Sequence, residues 1–483
     1  MINDVKNKAI SNTFWKLAER VFAQGISLIV SIVIARILTP SDYSVVSLVT
    51  IFFSFANVII SGGLNTALIQ KKDADHIDYS SVLFLSVLLS FVAYLILFLV
   101  APSIARIYKQ DQIVIVTRVM GLSLPITAIK SIWCAYVSSK LQFKKFFYAT
   151  LGGTIVSGIV GIYMAYSGFG AWSLVAQQMI NTTIDTIILI LCTRIGIVLR
   201  FSVSRIKTLF NYGWKIFVSS FIGIIYSEIS PLIIGVKYTK NDLSFYTKGK
   251  SFPMMLSSVS TNTLSAVLFP ILAKYQDDKE AVLKYTRLFM RLSSFLSFPI
   301  LLGLFSVADT FVAAVLTSKW NNSVYYIRIF CICSMFDIVA LGNCETIKAI
   351  GRSDVYLIME IIKKSLYFVI IFVFTKYSSS PEVLSISSLV CVMVQILVNS
   401  IPNIKLINYS IRDQITDLLP SLFCASIMCL VVIIVGKNIS CNIWMKLVAE
   451  MVCGVAVYVP ISFLINRKTM TYAYNTLKGF IRK

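Results

Sequence analysis

Charge is the first thing this chain lacks. Only 14% of its 483 residues are Asp, Glu, Lys or Arg, against about 25% in soluble domains. Mean hydropathy is correspondingly high, at +0.81, so most of the chain cannot face water. Acidic side chains are the scarcer sign, 22 against 44 Lys and Arg. Histidine is nearly missing: the one present, His76, lies in a polar stretch, which argues against histidine-based acid–base chemistry. The ten cysteines fall mostly in apolar runs (Cys192, Cys391, Cys424, Cys429, Cys453), and Cys331 and Cys333 are too close together to form half of a zinc site. No Gly-x-x-x-x-Gly-Lys-Ser/Thr loop, Gly-x-Ser-x-Gly elbow or His-Glu-x-x-His pair occurs. No metal, no cofactor and no catalytic residue is therefore expected. Long polar stretches are missing too: no loop exceeds ~20 residues, so no soluble domain is expected between the apolar runs.

What the chain does contain is apolar windows long enough to cross ~30 Å of hydrocarbon. They are expected near 14–38, 45–66, 81–101, 114–138, 147–166, 171–193, 214–235, 251–272, 288–308, 324–345, 354–374, 383–403, 417–436 and 443–465. The window holding Arg118 and Lys130 is the weakest. The fold class is thus all-α, a polytopic membrane protein of about fourteen transmembrane helices. Polar residues precede the first span and no small-residue cleavage site follows it, so the first helix is expected to be retained.

A net charge of +22 would suggest nucleic acid in a soluble chain. Here the basic residues fall between apolar runs, so their first cause is topogenic and no nucleic-acid partner is expected. An anionic substrate or anionic membrane lipid is the second contributor. With the N-terminus placed in the cytoplasm, Lys71 and Lys72, Lys140, Lys144 and Lys145, Arg194 to Lys207, Lys274 to Arg287, Lys348, Arg352, Lys405, Arg412 and the tail from Arg467 all fall inside. An even helix count puts both termini in the cytoplasm. One outside loop resists, 236–250, with Lys237, Lys240, Lys248 and Lys250.

The basic, amphipathic run Arg200–Tyr212 reads as a helix lying along the cytoplasmic surface and joining two halves. The halves look alike. Phe14-Trp15-Lys16-Leu17 recurs as Gly213-Trp214-Lys215-Ile216, and Thr39-Pro40-Ser41-Asp42-Tyr43-Ser44 as Thr239-Lys240-Asn241-Asp242-Leu243-Ser244, both about 200 residues on. Chance likeness of apolar helices is the alternative. The expected organisation is a six-helix lobe over 1–199, a linker helix over 200–213, a second six-helix lobe over 214–403, and two further helices with a basic cytoplasmic tail over 404–483. Six-helix repeats keep their orientation, so the lobes would be pseudo-symmetric about the membrane normal, as in rocking transporters.

Polar stripes mark candidate site residues. Lys16, Arg20, Gln24, Ser27 and Ser31 share one face of the first helix. Charge facing lipid costs ~2.5–3.5 kcal/mol or more, so this face should meet protein or a water-filled cavity; snorkelling of Lys16 and Arg20 to the interface is the alternative. Asn57, Ser61 and Asn65 line the second span, and Gln178, Asn181 and Asp185 the sixth. Glu228, one turn before Pro231, lies in the seventh and Asp337 in the tenth. The Ser and Asn positions also suit plain helix–helix hydrogen bonding. Asp185, Glu228 and Asp337 are candidates for ion coupling, because unpaired intramembrane carboxylates are costly and usually functional. Glu345, Lys348, Glu360, Lys363 and Lys364 read as solvated helix ends.

Several blocks together resemble a known family. Ile34-Ala35-Arg36-Ile37-Leu38-Thr39-Pro40-Ser41-Asp42-Tyr43 closes the first helix, followed by Gly63-Leu64-Asn65-Thr66-Ala67-Leu68-Ile69-Gln70-Lys71-Lys72 and Gly170-Ala171-Trp172-Ser173-Leu174-Val175-Ala176-Gln177. Leu268-Phe269-Pro270, Gln276-Asp277-Asp278 and Ala349-Ile350-Gly351-Arg352 follow. In order and spacing these resemble the polysaccharide flippases of the multidrug/oligosaccharidyl-lipid/polysaccharide exporter superfamily, of the colanic and teichuronic acid type. Ser44 departs from the family's glycine at the turn. The resemblance implies a bacterial inner-membrane protein that flips an undecaprenyl-pyrophosphate-linked oligosaccharide outward for surface polysaccharide biosynthesis. Lys16 and Arg20 would meet the pyrophosphate, and Gln24, Asn57, Asn65, Gln178 and Asn181 would line the cavity. The implied partners are that polyprenyl-pyrophosphate-linked glycan, membrane lipid and polysaccharide polymerase or assembly proteins; oligomeric state is not readable. Two alternatives remain: a cation-coupled multidrug exporter of the same superfamily, or a membrane polysaccharide polymerase or ligase.

Overall fold

A computed structural model describes residues 22–472 apart from 72, 141, 194, 199 and 468. Lys16 and Arg20 lie outside the described residues. The described chain is helical throughout: α1 (Phe22–Ile37), α2 (Pro40–Ser61), α3 (Leu64–Gln70), α4 (His76–Tyr108), α5 (Gln112–Gly121), α6 (Ser123–Ser139), α7 (Phe143–Tyr166), α8 (Ala171–Cys192) and α9 (Val203–Lys237). There follow α10 (Lys240–Lys274), α11 (Lys279–Phe311), α12 (Ser323–Ala349), α13 (Ser353–Tyr377), α14 (Val383–Ile407), α15 (Ile411–Asn438) and α16 (Ile443–Ile465). The all-α membrane architecture is thus as expected. Eleven helical segments among the described residues are long and apolar enough to cross a membrane, with α5 and α6 forming one of them. The other three expected spans fall on α1, α10 and α13, outside that set. Large apolar side chains such as Leu95, Leu99, Phe372, Leu430 and Leu464 are exposed, as a lipid-facing surface requires.

The chain divides into two compact units, Met1–Ser244 and Phe245–Lys483. In the first, α2 starts at a reciprocal cap: the Thr39 amide and hydroxyl donate to Asp42 Oδ2 at 3.0 and 2.6 Å. The same cap recurs at α10, where the Thr239 amide and hydroxyl donate to Asp242 Oδ2 at 2.9 and 2.7 Å. The two caps meet: Ser244 Oγ donates to the Pro40 carbonyl at 2.5 Å. Small residues on α7 let its neighbours close in. A Cβ at Gly158 would come within 2.6 Å of Val30 on α1, and one at Gly153 within 3.1 Å of Asp185 Cβ on α8.

The segment expected as a surface linker runs unbroken into the seventh span, giving the single 35-residue helix α9. It packs against the α2–α3 region at two levels. Gly63 abuts Gly213, backbone against backbone, and Gly235 sits between Leu48 and Tyr108. The start of α9 is tied to the foot of α4. Asp78, wholly buried, accepts from Lys71 Nζ at 2.6 Å and from Arg205 Nη1 at 3.2 Å. The Val198 and Ser202 amides donate to Ser80 and Ser81 hydroxyls at 2.9 and 3.0 Å. Just outside the span, the Asp78 amide and then Arg205 hold the Asp75 carboxyl below its ordinary pKa. Replacing Asp78 by alanine takes from Lys71 its carboxylate and leaves Arg205 with Asp75 alone, at 3.0 Å. Because each cation keeps a solvated face, the expected cost is about 1–3 kcal/mol, readable as a lower unfolding temperature of the purified protein.

The second unit corrects one expectation. Residues 236–250 are not a loop: only Tyr238 and Thr239 separate α9 from α10. Lys248 is buried inside α10, its ammonium 5.8 Å from the Phe252 ring and 5.9 Å from Trp320, which lets a cation lie where loop placement looked necessary. Polar side chains join α12, α14 and α15. Asn343 Nδ2 donates to Ser400 Oγ at 3.2 Å and to Gln414 Oε1 at 2.9 Å, while Asn403 Nδ2 reaches Asn343 Oδ1 at 2.8 Å. In an apolar surround such paired amides hold helices in register.

Candidate functional site

Within the second unit, a cavity of about 580 Å³ opens among α10, α12, α13 and α14. Helical spacing puts Ser334, Asp337, Leu341, Cys344, Glu345 and Lys348 on one face of α12, and Tyr356, Glu360 and Lys363 on one face of α13. Ser257 and Ser258 come from α10 and Gln395 from α14. Lys348 Nζ lies 3.0 Å from Glu345 Oε1 and 4.7 Å from the centre of the Tyr356 ring. Lys363 Nζ lies 2.5 Å from Glu360 Oε1 and 3.9 Å from Cys344 Sγ, and Lys364 reaches the other Glu360 oxygen at 3.8 Å. Asp337 is exposed on this cavity wall rather than packed away.

The wall is nearly balanced in charge. Three carboxylates and two ammonium groups line it, and Lys364 supplies a further cation at Glu360. Such a wall offers alternating donors and acceptors, suited to a ligand rich in hydroxyl groups, whereas a phosphate would need several uncommitted cations. No group of His, Cys, Asp and Glu that could hold a metal occurs among the described residues.

The sequence-derived candidates are scattered. Asp337 alone among them lines this cavity. In the first unit, Asp185 is buried and paired with Lys130 at 2.5 Å, which is how the span expected around Lys130 tolerates its charge. Arg118, in the same span, lies 4.1 Å above the Phe98 ring. Asn181, one turn before Asp185, donates to Ser157 at 3.2 Å, the helix-joining role open to any intramembrane Asn. Gln24 Oε1 and Asn65 Oδ1 are buried with no hydrogen-bond partner among the described residues. Asn57 and Gln178 are exposed. Glu228 accepts a long hydrogen bond from Ser227 at 3.4 Å and has no ion pair among the described residues.

Sequence reasoning passed over Glu345, Lys348, Glu360 and Lys363. The i,i+3 Glu–Lys spacing on two successive spans was visible. Its convergence was not, because that depends on how α12 meets α13.

The chain matches a family model described as "Polysaccharide biosynthesis protein" over residues 33–325. It is 22% identical over 371 residues to the lipopolysaccharide biosynthesis protein WzxC of Escherichia coli (strain K12), covering 75% of this chain and 74% of WzxC. It is 21% identical over 310 residues to the succinoglycan biosynthesis transport protein ExoT of Rhizobium meliloti (strain 1021), covering 64% of this chain and 63% of ExoT. Its fold is similar to that of the lipid II flippase MurJ in an inward closed conformation, with a TM-score of 0.74 and 14% identity, covering 95% of this chain and 99% of MurJ.

Proposed function

Because the chain belongs to the polysaccharide biosynthesis protein family, we propose that it is a flippase of the bacterial cytoplasmic membrane. It carries an undecaprenyl-pyrophosphate-linked oligosaccharide repeat from the cytoplasmic to the outer leaflet by alternating access, and both of its termini are cytoplasmic. The observation that carries this reading is the cavity of paired Glu and Lys side chains between α13 and α12, the latter long and apolar enough to cross a membrane, in the second unit. Ion pairs in so apolar a chain are costly unless they face water or a polar ligand, and sugar hydroxyls can both donate to Glu360 and accept from Lys363. The basic stripe of the first helix, Lys16 and Arg20, supplies cations for the pyrophosphate, and the lipid tail stays in the bilayer. The names of WzxC and ExoT, a lipopolysaccharide biosynthesis protein and a succinoglycan biosynthesis transport protein, support a glycan cargo. Of the three carboxylates considered for ion coupling, Asp337 is the one on the cavity wall. The protein transports and does not catalyse.

Deleting the gene tests this reading. Lipid-linked repeat units are expected to accumulate on the cytoplasmic side while the surface glycan is lost. Loss of the glycan with no such accumulation would point instead to a polymerase or ligase.

A further inference from the structure

A second and larger cavity, about 820 Å³, lies between α11, the start of α15 and the end of α16. Its floor is an unusual charge arrangement. Asp417 is almost wholly buried, and two guanidinium groups close on it. Arg287 Nε and Nη2 donate at 2.8 and 3.0 Å, and Arg291 Nε and Nη2 at 2.8 and 2.6 Å. The Tyr409 hydroxyl donates to the same carboxylate at 3.0 Å. With Asp413 beside Arg287 at 3.9 Å, two carboxylates face the two guanidinium groups. The cluster itself is therefore balanced, and the net positive charge at the cavity comes from Arg467 at its rim.

Arg291, the member of the pair that lines the cavity, commits Nε and Nη2 to Asp417. A guanidinium has five N–H donors, so the Nη1 edge stays available. Arg467, exposed at the rim, adds a second cation, and Thr416, Asn466, Thr469 and Tyr472 add neutral polar groups. Just beyond the rim the helices turn apolar outward: Ile415, Leu419 and Phe423 on α15 and Phe463 and Leu464 on α16 are all exposed, Leu464 at 81%. The sequence on from Arg467 adds Lys468, Lys478, Arg482 and Lys483 with no acidic residue.

Cations and hydroxyls facing a pocket at the helix ends, with exposed apolar ribs beside it, match the layout of a phospholipid. We propose that this pocket binds the phosphate headgroup of an anionic inner-leaflet phospholipid, with Arg291 and Arg467 holding the phosphate and the acyl chains lying along α15 and α16. The bound lipid is a resident of the C-terminal helix pair and is separate from the transported glycan. The proposal therefore stands or falls apart from the flippase reading.

The test uses the purified full chain in neutral detergent, titrated with phosphatidylglycerol, phosphatidylcholine or inorganic phosphate and read by native mass spectrometry. Phosphatidylglycerol is expected to bind in preference to phosphatidylcholine. Arg467→Ala should weaken that binding about fivefold, the worth of one basic residue at an anionic headgroup. Arg291→Lys, which keeps a cation beside Asp417 but removes the planar fork, should weaken it similarly; should that variant not fold, Arg467→Ala decides alone. Equal binding of the two lipids, or variants that bind as the wild type does, would overturn the proposal. Displacement of phosphatidylglycerol by inorganic phosphate at equal concentration would overturn the lipid assignment.

Discussion

Replacing Gly63 by valine is expected to leave no monodisperse protein after extraction from the membrane. Gly63 combines two constraints. Its φ of +70° lies in the left-handed region, which costs an L-residue about 1–2 kcal/mol. More importantly, any Cβ there would overlap the Gly213 carbonyl oxygen, fall 2.8 Å from its carbon and 3.1 Å from the Phe217 amide nitrogen. Those atoms are backbone, so no rotamer change relieves the clash, and α9 must move away from the α2–α3 turn as a body. Gly63→Ala should already lower the unfolding temperature sharply. Gly213→Ala should be milder, since its Cβ would sit 3.1 Å from Gly63 carbon. Size-exclusion profiles and thermal unfolding of the three variants check the order. A Gly63→Ala protein as stable as the wild type would show that the close approach does not exist.

Lys363→Ala is expected to reduce export of the surface glycan at least about tenfold, the consequence of losing one charge-assisted hydrogen bond of about 1.5–3 kcal/mol. Its ammonium side chain is only 9% exposed and sits on Glu360, so the substitution removes a ligand donor and also leaves a carboxylate short of its nearest cation. Lys364, at 3.8 Å, offsets part of that loss. The double variant Lys363→Ala, Lys364→Ala should therefore export less again. Exchanging the pair, Glu360→Lys with Lys363→Glu, separates packing from recognition. It keeps a Coulombic partner in place, so protein level and thermal stability should return towards wild type while export stays low. Export that recovers along with stability would make the pair a structural bridge rather than part of a glycan site.

Eleven of the expected spans were legible because a bilayer demands ~20 consecutive apolar residues wherever the chain crosses it. The paired elbows were legible as well: Thr39–Asp42 and Thr239–Asp242 share spacing and cap in the same way, because a Thr and an Asp three residues on satisfy one another wherever a helix begins. Charge inside spans was harder to read. Lys248 looked like a loop residue because sequence does not reveal that Phe252 and Trp320 will stand beside it. Lys130 and Asp185 lie on different helices and find one another only in three dimensions. Asp417 with Arg287 and Arg291 is a stronger instance, since the partners belong to α15 and α11 and neither stretch looks unusual alone. The same limit hid the cavity. Glu345–Lys348 and Glu360–Lys363 each read as a local pair at a helix end, and only the meeting of α12 and α13 places them on one wall.

The central claim is that this chain moves a lipid-linked oligosaccharide, and reconstitution measures that directly. Liposomes containing the purified protein and a polyprenyl-diphosphate-linked oligosaccharide are treated with a membrane-impermeant sugar oxidant, which reports the fraction of glycan facing outward over time. Transfer between leaflets is expected to run far faster than in protein-free liposomes and to slow with Lys363→Ala. Transfer at the protein-free rate, in liposomes where the same protein expels a cationic dye, would contradict the account and favour a multidrug exporter.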